Sequence, residues 1–251
     1  QVMATWVADK NYAAGEPIIV RSNNYRYPFN HILVEAVSEG DTLHIKDIIS
    51  NKLFVGVEDE VYMSLNAVDF AETPTWFLIS ADNHAGVEGL SQCLGFSADG
   101  NYLWVGTAEG RVFRISNIAN AFDENTADVS SSNCIIATTE VVLPGDITQA
   151  VTSVSVDPKN PDKVLVTLGN YGNQIYVFYC SNGTSDSPQF AGKQGNLPRV
   201  PIYSGILEMD ENSDQAIIGT EMGVWVSDNV AGGQWYFASQ EIGRIPVMAI
   251  K

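Results

Sequence analysis

Basic residues are scarce: the 251-residue chain carries 13 Lys and Arg against 30 Asp and Glu, a formal charge of −17. Nucleic acid and anionic membrane surfaces are bound by clustered cations, and the few present here are scattered, so neither is expected as a partner. The acidity reads first as a solubility device, with attraction of cations or of a basic partner as the alternative. Cysteine is nearly absent too. Cys93, Cys134 and Cys180 lie far apart without CxxC or Cys/His spacing, and an odd number leaves at least one unpaired. A disulfide framework is therefore not what holds the fold, and buried free thiols are expected. His31, His44 and His84 are equally dispersed, so neither a metal site nor a cofactor is expected. No run of 18 apolar residues exists to insert in a membrane, and no stretch shows a sustained 3.6-residue apolar period with caps. The chain starts Gln1-Val2-Met3, with no initiator Met and no signal-peptide pattern, and its two ends read as cut points.

What is present is a repeat. Hydrophobic residues make up 45% and charged residues 17%, a globular balance, and one all-β domain of this length is ordinary. "VGTAEGRVF" (Val105 to Phe113) and "IGTEMGVWV" (Ile218 to Val226) share a strand end, a Gly-Thr turn, a second Gly and a new β-rich strand. "VGVEDEVYM" from Val55 is the same unit with Glu60 at the second Gly, and "TLGNYGNQIYV" from Thr167 is a longer version. The aromatics that follow, Tyr62, Phe113, Tyr176 and Trp225, are spaced by 51, 63 and 49 residues. A four-stranded propeller blade runs to about 40–50 residues, so one insertion accounts for the longest interval.

The flanks repeat as well. "GFSADGNYLWVG", "VSVDPKNPDKVLVTLG" and "ILEMDENSDQAIIG" each give a strand, an acidic turn and a second strand. Asp99, Asp157 and Asp210 fit as turn residues, since a short carboxylate bonds its own backbone; none has calcium-loop spacing. Complete units are expected at about Thr42–Ser80, Leu90–Val142, Val151–Leu197 and Val200–Ser239. Around Ala4–Val7, Pro17–Arg21 and His31–Val37 the N-terminal segment supplies three further strands, and "RIPVMAIK" supplies one more. The fold class expected is all-β: a β-propeller of four-stranded antiparallel blades, about five accounted for, as a single domain over residues 1–251. N-terminal strands within 1–41 sharing a blade with the strand at 244–251 would close a ring without free edges; a segment of a larger propeller is the alternative. The longest irregular piece, Ile118 to Asn133, is read as decoration on the outer side of its unit.

A third motif follows in each unit. Ser227-Asp228-Asn229…Gly232…Trp235 and Ser64-Leu65-Asn66…Trp76 align as Ser-x-Asn, a variable turn and Trp; Ser22 and Asn24 carry its start. It resembles the Asp-box or BNR repeat, Ser-x-Asp-x-Gly-x-x-Trp, with Asn229 in place of the Asp and one residue inserted before the Gly. The run from Gly195 to Val247 is similar to repeats of sortilin-like propellers and of secreted propellers of Bacteroidetes. The resemblance covers Val151 to Lys251 well, Thr42 to Ser80 moderately and the first forty residues weakly. It implies a secreted or cell-surface protein in which Ser227, Asn229, Gly232, Trp235, Ser64, Asn66 and Trp76 are structural: Ser and Asn cap a tight turn, and Trp fills the wedge between blades. Sialidases share the repeat but need an arginine triad and a Tyr nucleophile. "GRIP" at Gly243–Pro246 echoes one such arginine, yet it reads better as an inter-blade lead like "LPRVPIY" from Leu197. Xyloglucanase-type enzymes need two facing carboxylates, which 30 acidic residues neither exclude nor locate. The expectation is therefore a non-catalytic extracytoplasmic binding or assembly module contacting protein or glycan through rim loops, with glycoside hydrolysis as the alternative. Tyr25, Arg26, Tyr27 and Phe29 form the candidate binding loop, alongside Ser80 to Gly89.

Overall fold

The computed structural model describes residues 3–22, 28–47, 52–67, 73–80, 86–121, 123–207 and 214–250. Strand makes up 42% and helix 5%, in six antiparallel sheets of two to four strands. No helix of the described residues is long and apolar enough to cross a membrane.

The first four strands are β1 (Met3–Val7), β2 (Pro17–Arg21), β3 (Pro28–Ile32) and β4 (Thr42–Lys46). Here the structure departs from the sequence reading: β4 does not open the next unit but pairs with β1, Ala4 facing Ile45 and Trp6 facing Leu43. Strands β2 and β3 form a separate pair. The reason is a small core of its own, in which Ala4, Ile18, Val20, Phe29, Leu33, Val37 and Ile45 are buried together. Alternation in β1 and β4 sends one face of each into that core, so the two strands are matched partners.

Four sheets follow in chain order. Sheet I has three strands, β5 (Leu53–Val57), β6 (Glu60–Ser64) and β7 (Trp76–Leu78). Sheet II is β8 (Ser91–Phe96), β9 (Leu103–Thr107), β10 (Val112–Ser116) and β11 (Ala137–Glu140). Sheet III is β12 (Val151–Val156), β13 (Val164–Leu168), β14 (Val177–Cys180) and β15 (Phe190–Gly192). Sheet IV is β16 (Ile202–Leu207), β17 (Ala216–Thr220), β18 (Gly223–Ser227) and β19 (Tyr236–Phe237). Each is a meander, and sheets II to IV fall within the units expected from the repeat.

Sheet packs on sheet in series. Val61, Met63 and Ile79 of sheet I meet Leu103, Val105, Phe113 and Ile115 of sheet II. A second core joins Trp104 and Val112 of sheet II to sheet III, and sheet III to Ile202, Ala216, Ile218 and Trp235 of sheet IV. Strands β9 and β13, LWVGT and VLVTL, are buried at every position because both of their faces are covered. Stacked sheets lie about 10 Å apart, but the first strands come closer. A Cβ on Gly95 in β8 would lie 2.6 Å from the Val154 carbonyl oxygen of β12. Between sheets III and IV, Thr152 donates to the Ile202 carbonyl (2.5 Å) and the Leu207 N–H donates to Ser155 (3.0 Å).

Each complete sheet also carries a register shift at the same point of its first strand: between Ser91 and Cys93, Val151 and Ser153, and Ile202 and Ser204. An extra residue there twists the strand and re-aims one side chain. The insertion at 118–133 is more than decoration. It holds a short helix, α1 (Glu124–Ala127), started by a capping box between Asp123 and Thr126, and it buries Ile118, Ala121 and Ala127 in the core between sheets I and II.

Gly95→Ala tests the close approach of first strands. Its Cβ meets the Val154 backbone as well as that side chain, so a loss of about 1–3 kcal/mol is expected in urea unfolding, whereas an exposed Ala137→Ser change in β11 leaves the midpoint within error.

Candidate functional site

The recurring polar motif sits where the third strand turns into the fourth. In sheet IV, Ser227 closes β18 and its Oγ accepts the Asn229 N–H at 3.3 Å. Asn229 Oδ1 accepts the Gly232 N–H at 3.1 Å and so caps the 3-10 turn Val230–Gly232, which ends on Gly233 at φ 70°. Trp235 is fully buried: its Nε1 donates to the Lys193 carbonyl (2.9 Å) and its N–H to Asn196 (2.8 Å), which stitches sheet IV to sheet III.

Sheet I repeats the arrangement. Ser64 donates to Asn66 Oδ1 (3.2 Å), which also accepts the Thr75 N–H (2.9 Å), and Trp76 opens β7 opposite Ser64. Trp76, unlike Trp235, is exposed rather than wedged. Ser22 instead donates to Asp47 (2.8 Å), while Asn24 lies outside the described residues.

Sheet III holds a copy that sequence reading missed. Cys180 stands where Ser is found elsewhere and donates through Sγ to Asn182 Oδ1 (3.2 Å), which accepts the Gln189 N–H (3.0 Å). The available signal was position, since Cys180-Ser181-Asn182 ends the third strand of its unit just as Ser227-Asp228-Asn229 does. Asn182 also begins an Asn-Gly-Thr sequon, but its amide is engaged at both ends, Nδ2 donating to the Ser187 carbonyl at 3.4 Å. Thr184 is engaged too, giving its N–H (2.9 Å) and hydroxyl (2.5 Å) to Asp162, which holds that carboxyl below its usual range.

These side chains fold turns, and several other groups with chemical potential are also held by protein partners. Arg111 lies between Glu88 and Glu140, bonding the latter at 2.7 Å through two nitrogens. Arg114 is buried, gives Nη1 to the carbonyls of Gly183 (2.6 Å) and Ser185 (2.7 Å), and faces the Tyr102 ring. Arg244 of the Gly-Arg-Ile-Pro stretch lies over the Phe237 ring. Tyr179 donates to Asp214 (3.0 Å), which takes Lys163 at 2.7 Å; burial first, then Asp214, push the Tyr179 phenol well above its ordinary value. Tyr203 is pushed up to about 12 by its bond to Glu221. A phenol so shifted keeps its proton and is a poor nucleophile at neutral pH.

Burial raises the Cys93 thiol to about 12, so it is inert as well. Among the described residues no group of three or more His, Cys, Asp or Glu could hold a metal ion. Of the candidate binding loop, Tyr25, Arg26 and Tyr27 lie outside the described residues, and Phe29 is buried in β3. Two clefts remain. One of about 490 Å³ lies in the N-terminal module beside His31, Glu35 and His44; one of about 440 Å³ runs between β11 and residues 186–190. No family model matches the chain, and no curated protein matches it.

Asn229→Ala removes one cap and is expected to lower stability by about 1 kcal/mol in urea unfolding, with Asn182→Ala similar. Asp162 gives a pH test. Its folded carboxyl is more acidic than the unfolded value of 3.8, so its stabilisation is complete above that value and fades as the pH falls through the folded one. The melting temperature should therefore drop less for Asp162→Asn than for wild type when the pH is lowered from about 5 to about 2.

Proposed function

We propose that the chain is a non-catalytic β-propeller, or a segment of one, of the BNR/Asp-box superfamily. In this reading it is a sortilin-like protein of the kind Bacteroidetes secrete. It works outside the cytoplasm as a binding or assembly module, through protein or glycan contacts of its rim loops. The observation that carries the reading is the engagement of the repeated polar motif. At Ser64-Asn66, Cys180-Asn182 and Ser227-Asn229 the side chains bond the turn backbone, which is scaffold chemistry repeated in three sheets. A catalytic constellation is needed once. The serial packing of sheets I to IV, with first strand beside first strand in sheets II to IV, supports the propeller architecture.

Arginines held by carboxylates, carbonyls and a ring, together with protonated tyrosines, support binding without turnover. The test pairs a binding screen with a turnover assay. The immobilised chain, offered a glycan array and the secreted proteins of its source, should retain a ligand saturably while releasing no cleaved sugar. Glycan cleavage by the isolated chain overturns the reading.

A further inference from the structure

One buried cation has no anion. Arg114 in β10 is 6% exposed, and no carboxylate bonds it among the described residues. Arg111, three residues earlier and partly exposed, is by contrast bonded by both Glu88 and Glu140. The two bonds from Arg114 Nη1 go to neutral groups, the carbonyls of Gly183 and Ser185 at 2.6 and 2.7 Å. The Tyr102 ring lies 5.5 Å from the guanidinium carbon. Carbonyls and a ring face orient a cation without cancelling its charge, and a buried charge left uncompensated is strongly destabilising. Burial accordingly pulls Arg114 below its usual value, against support from the Tyr102 and Asp186 side chains.

Other unmet donors stand beside it. Arg114 Nε is buried without an acceptor, and no bond engages Nη2 among the described residues. Trp104 stands opposite Arg114 in the β9–β10 register, and its buried Nε1 has no protein acceptor. Ser185, whose carbonyl Arg114 holds, has a buried hydroxyl that is likewise unbonded. The cleft of about 440 Å³ between sheets II and III opens next to these groups. Thr139, the neighbour of Arg114 across β10 and β11, lies in one wall, and Asp186, next to Ser185, lies in the other. Phe190, whose ring meets Trp104 edge-on at 5.7 Å, lines the cleft with Val142, Pro144 and Pro188. All of these residues lie mid-chain and within the described segments.

We propose that this cleft binds a small monocarboxylate, its two oxygens paired with Nε and Nη2 of Arg114 and its apolar body against Phe190 and Pro188. With Nη1 given to two carbonyls, the edge left on the guanidinium is Nε and Nη2, two parallel donors that match the oxygens of a carboxylate. Trp104 Nε1 and the Ser185 hydroxyl are further donors for the same anion. One negative charge suits the cleft better than two. Glu140 in its wall is already held by Arg111, but Asp186 is exposed and uncancelled, so the second charge of a phosphate ester meets repulsion there. Asp186 does not itself take the place of the ligand, since no hydrogen bond joins it to Arg114. The site is separate from the rim-loop contacts of the reading above and stands without them.

Phenylacetate serves as the probe, phenylacetamide as its neutral counterpart and phenyl phosphate as the dianion. Isothermal titration of the whole chain at neutral pH should show one saturable site for phenylacetate, with a Kd of about 1 mM or tighter. The amide and the phosphate should each bind at least about tenfold more weakly. In proton–nitrogen correlation spectra the Arg114 Nε–H and Trp104 Nε1–H signals should move along the same titration curve, a readout that needs no variant. Arg114→Gln should lose the saturable site. Asp186→Asn, on an exposed loop, keeps the fold and removes a like charge, so it should tighten phenylacetate binding about threefold. The proposal is overturned by the absence of saturable binding, or by phenylacetamide binding as tightly as phenylacetate. Shifts that spare both Arg114 and Trp104, or full affinity in a folded Arg114→Gln variant, overturn it equally.

Discussion

The series of sheets depends on one close approach, the seating of each sheet's first strand on the second strand of the sheet before it. Between sheets II and III glycine makes the approach possible, since any Cβ at Gly106 would occupy the space of Val151, whereas in sheet III Thr167 of β13 takes that place. Once the first strands are that near, the side chains of β9 and β13 are enclosed on both faces, and burial follows for aliphatic and aromatic residues alike. The insertion at 118–133 fits the same constraint, since it seals the outer end of one inter-sheet core with Ile118, Ala121 and Ala127. Many polar groups stand at the turns. There they bond backbone or one another, as Asp157 does with the N–H groups of Lys159 and Asn160. The surplus of negative charge is compatible with the fold because the turns that carry it lie outside the packed faces.

Strands and turns were legible in the sequence wherever the repeat was dense. Sheets II, III and IV coincide with units read from alternation, acidic turns and the Gly-Thr signature, because each of those signals is a local backbone demand. The first 47 residues were misread for a physical reason: strand patterns announce strands but not partners. Thr42–Lys46 looks like the first strand of sheet I, yet Ile45 is matched to a core formed with Ala4 and Val37, which no local signal reveals. The register shift shared by the three first strands was equally invisible, since Gln92, Thr152 and Tyr203 share no residue type or size.

The polar turn was legible in two copies and hidden in a third. Ser64 and Ser227 were found by residue type, whereas Cys180 does the same job with sulfur, and type matching passes over it. The two tryptophans show the reverse limit. Trp76 and Trp235 follow the same motif, but only Trp235 has a sheet beside it to be buried against. Burial is a property of the neighbour, and the neighbour is not written into the motif.

Because the first strands of sheets II, III and IV each rest on the second strand of the sheet before, the interfaces between these sheets are alike in kind. Gain or loss of one whole unit creates or removes one interface and leaves each remaining sheet with contacts of the type it already had. Unit number is therefore free to vary through duplication and deletion, and the seat itself tolerates more than glycine, since Thr167 holds that place in sheet III. The turns tolerate change as well, since a thiol at Cys180 makes the bond that a hydroxyl makes at Ser64.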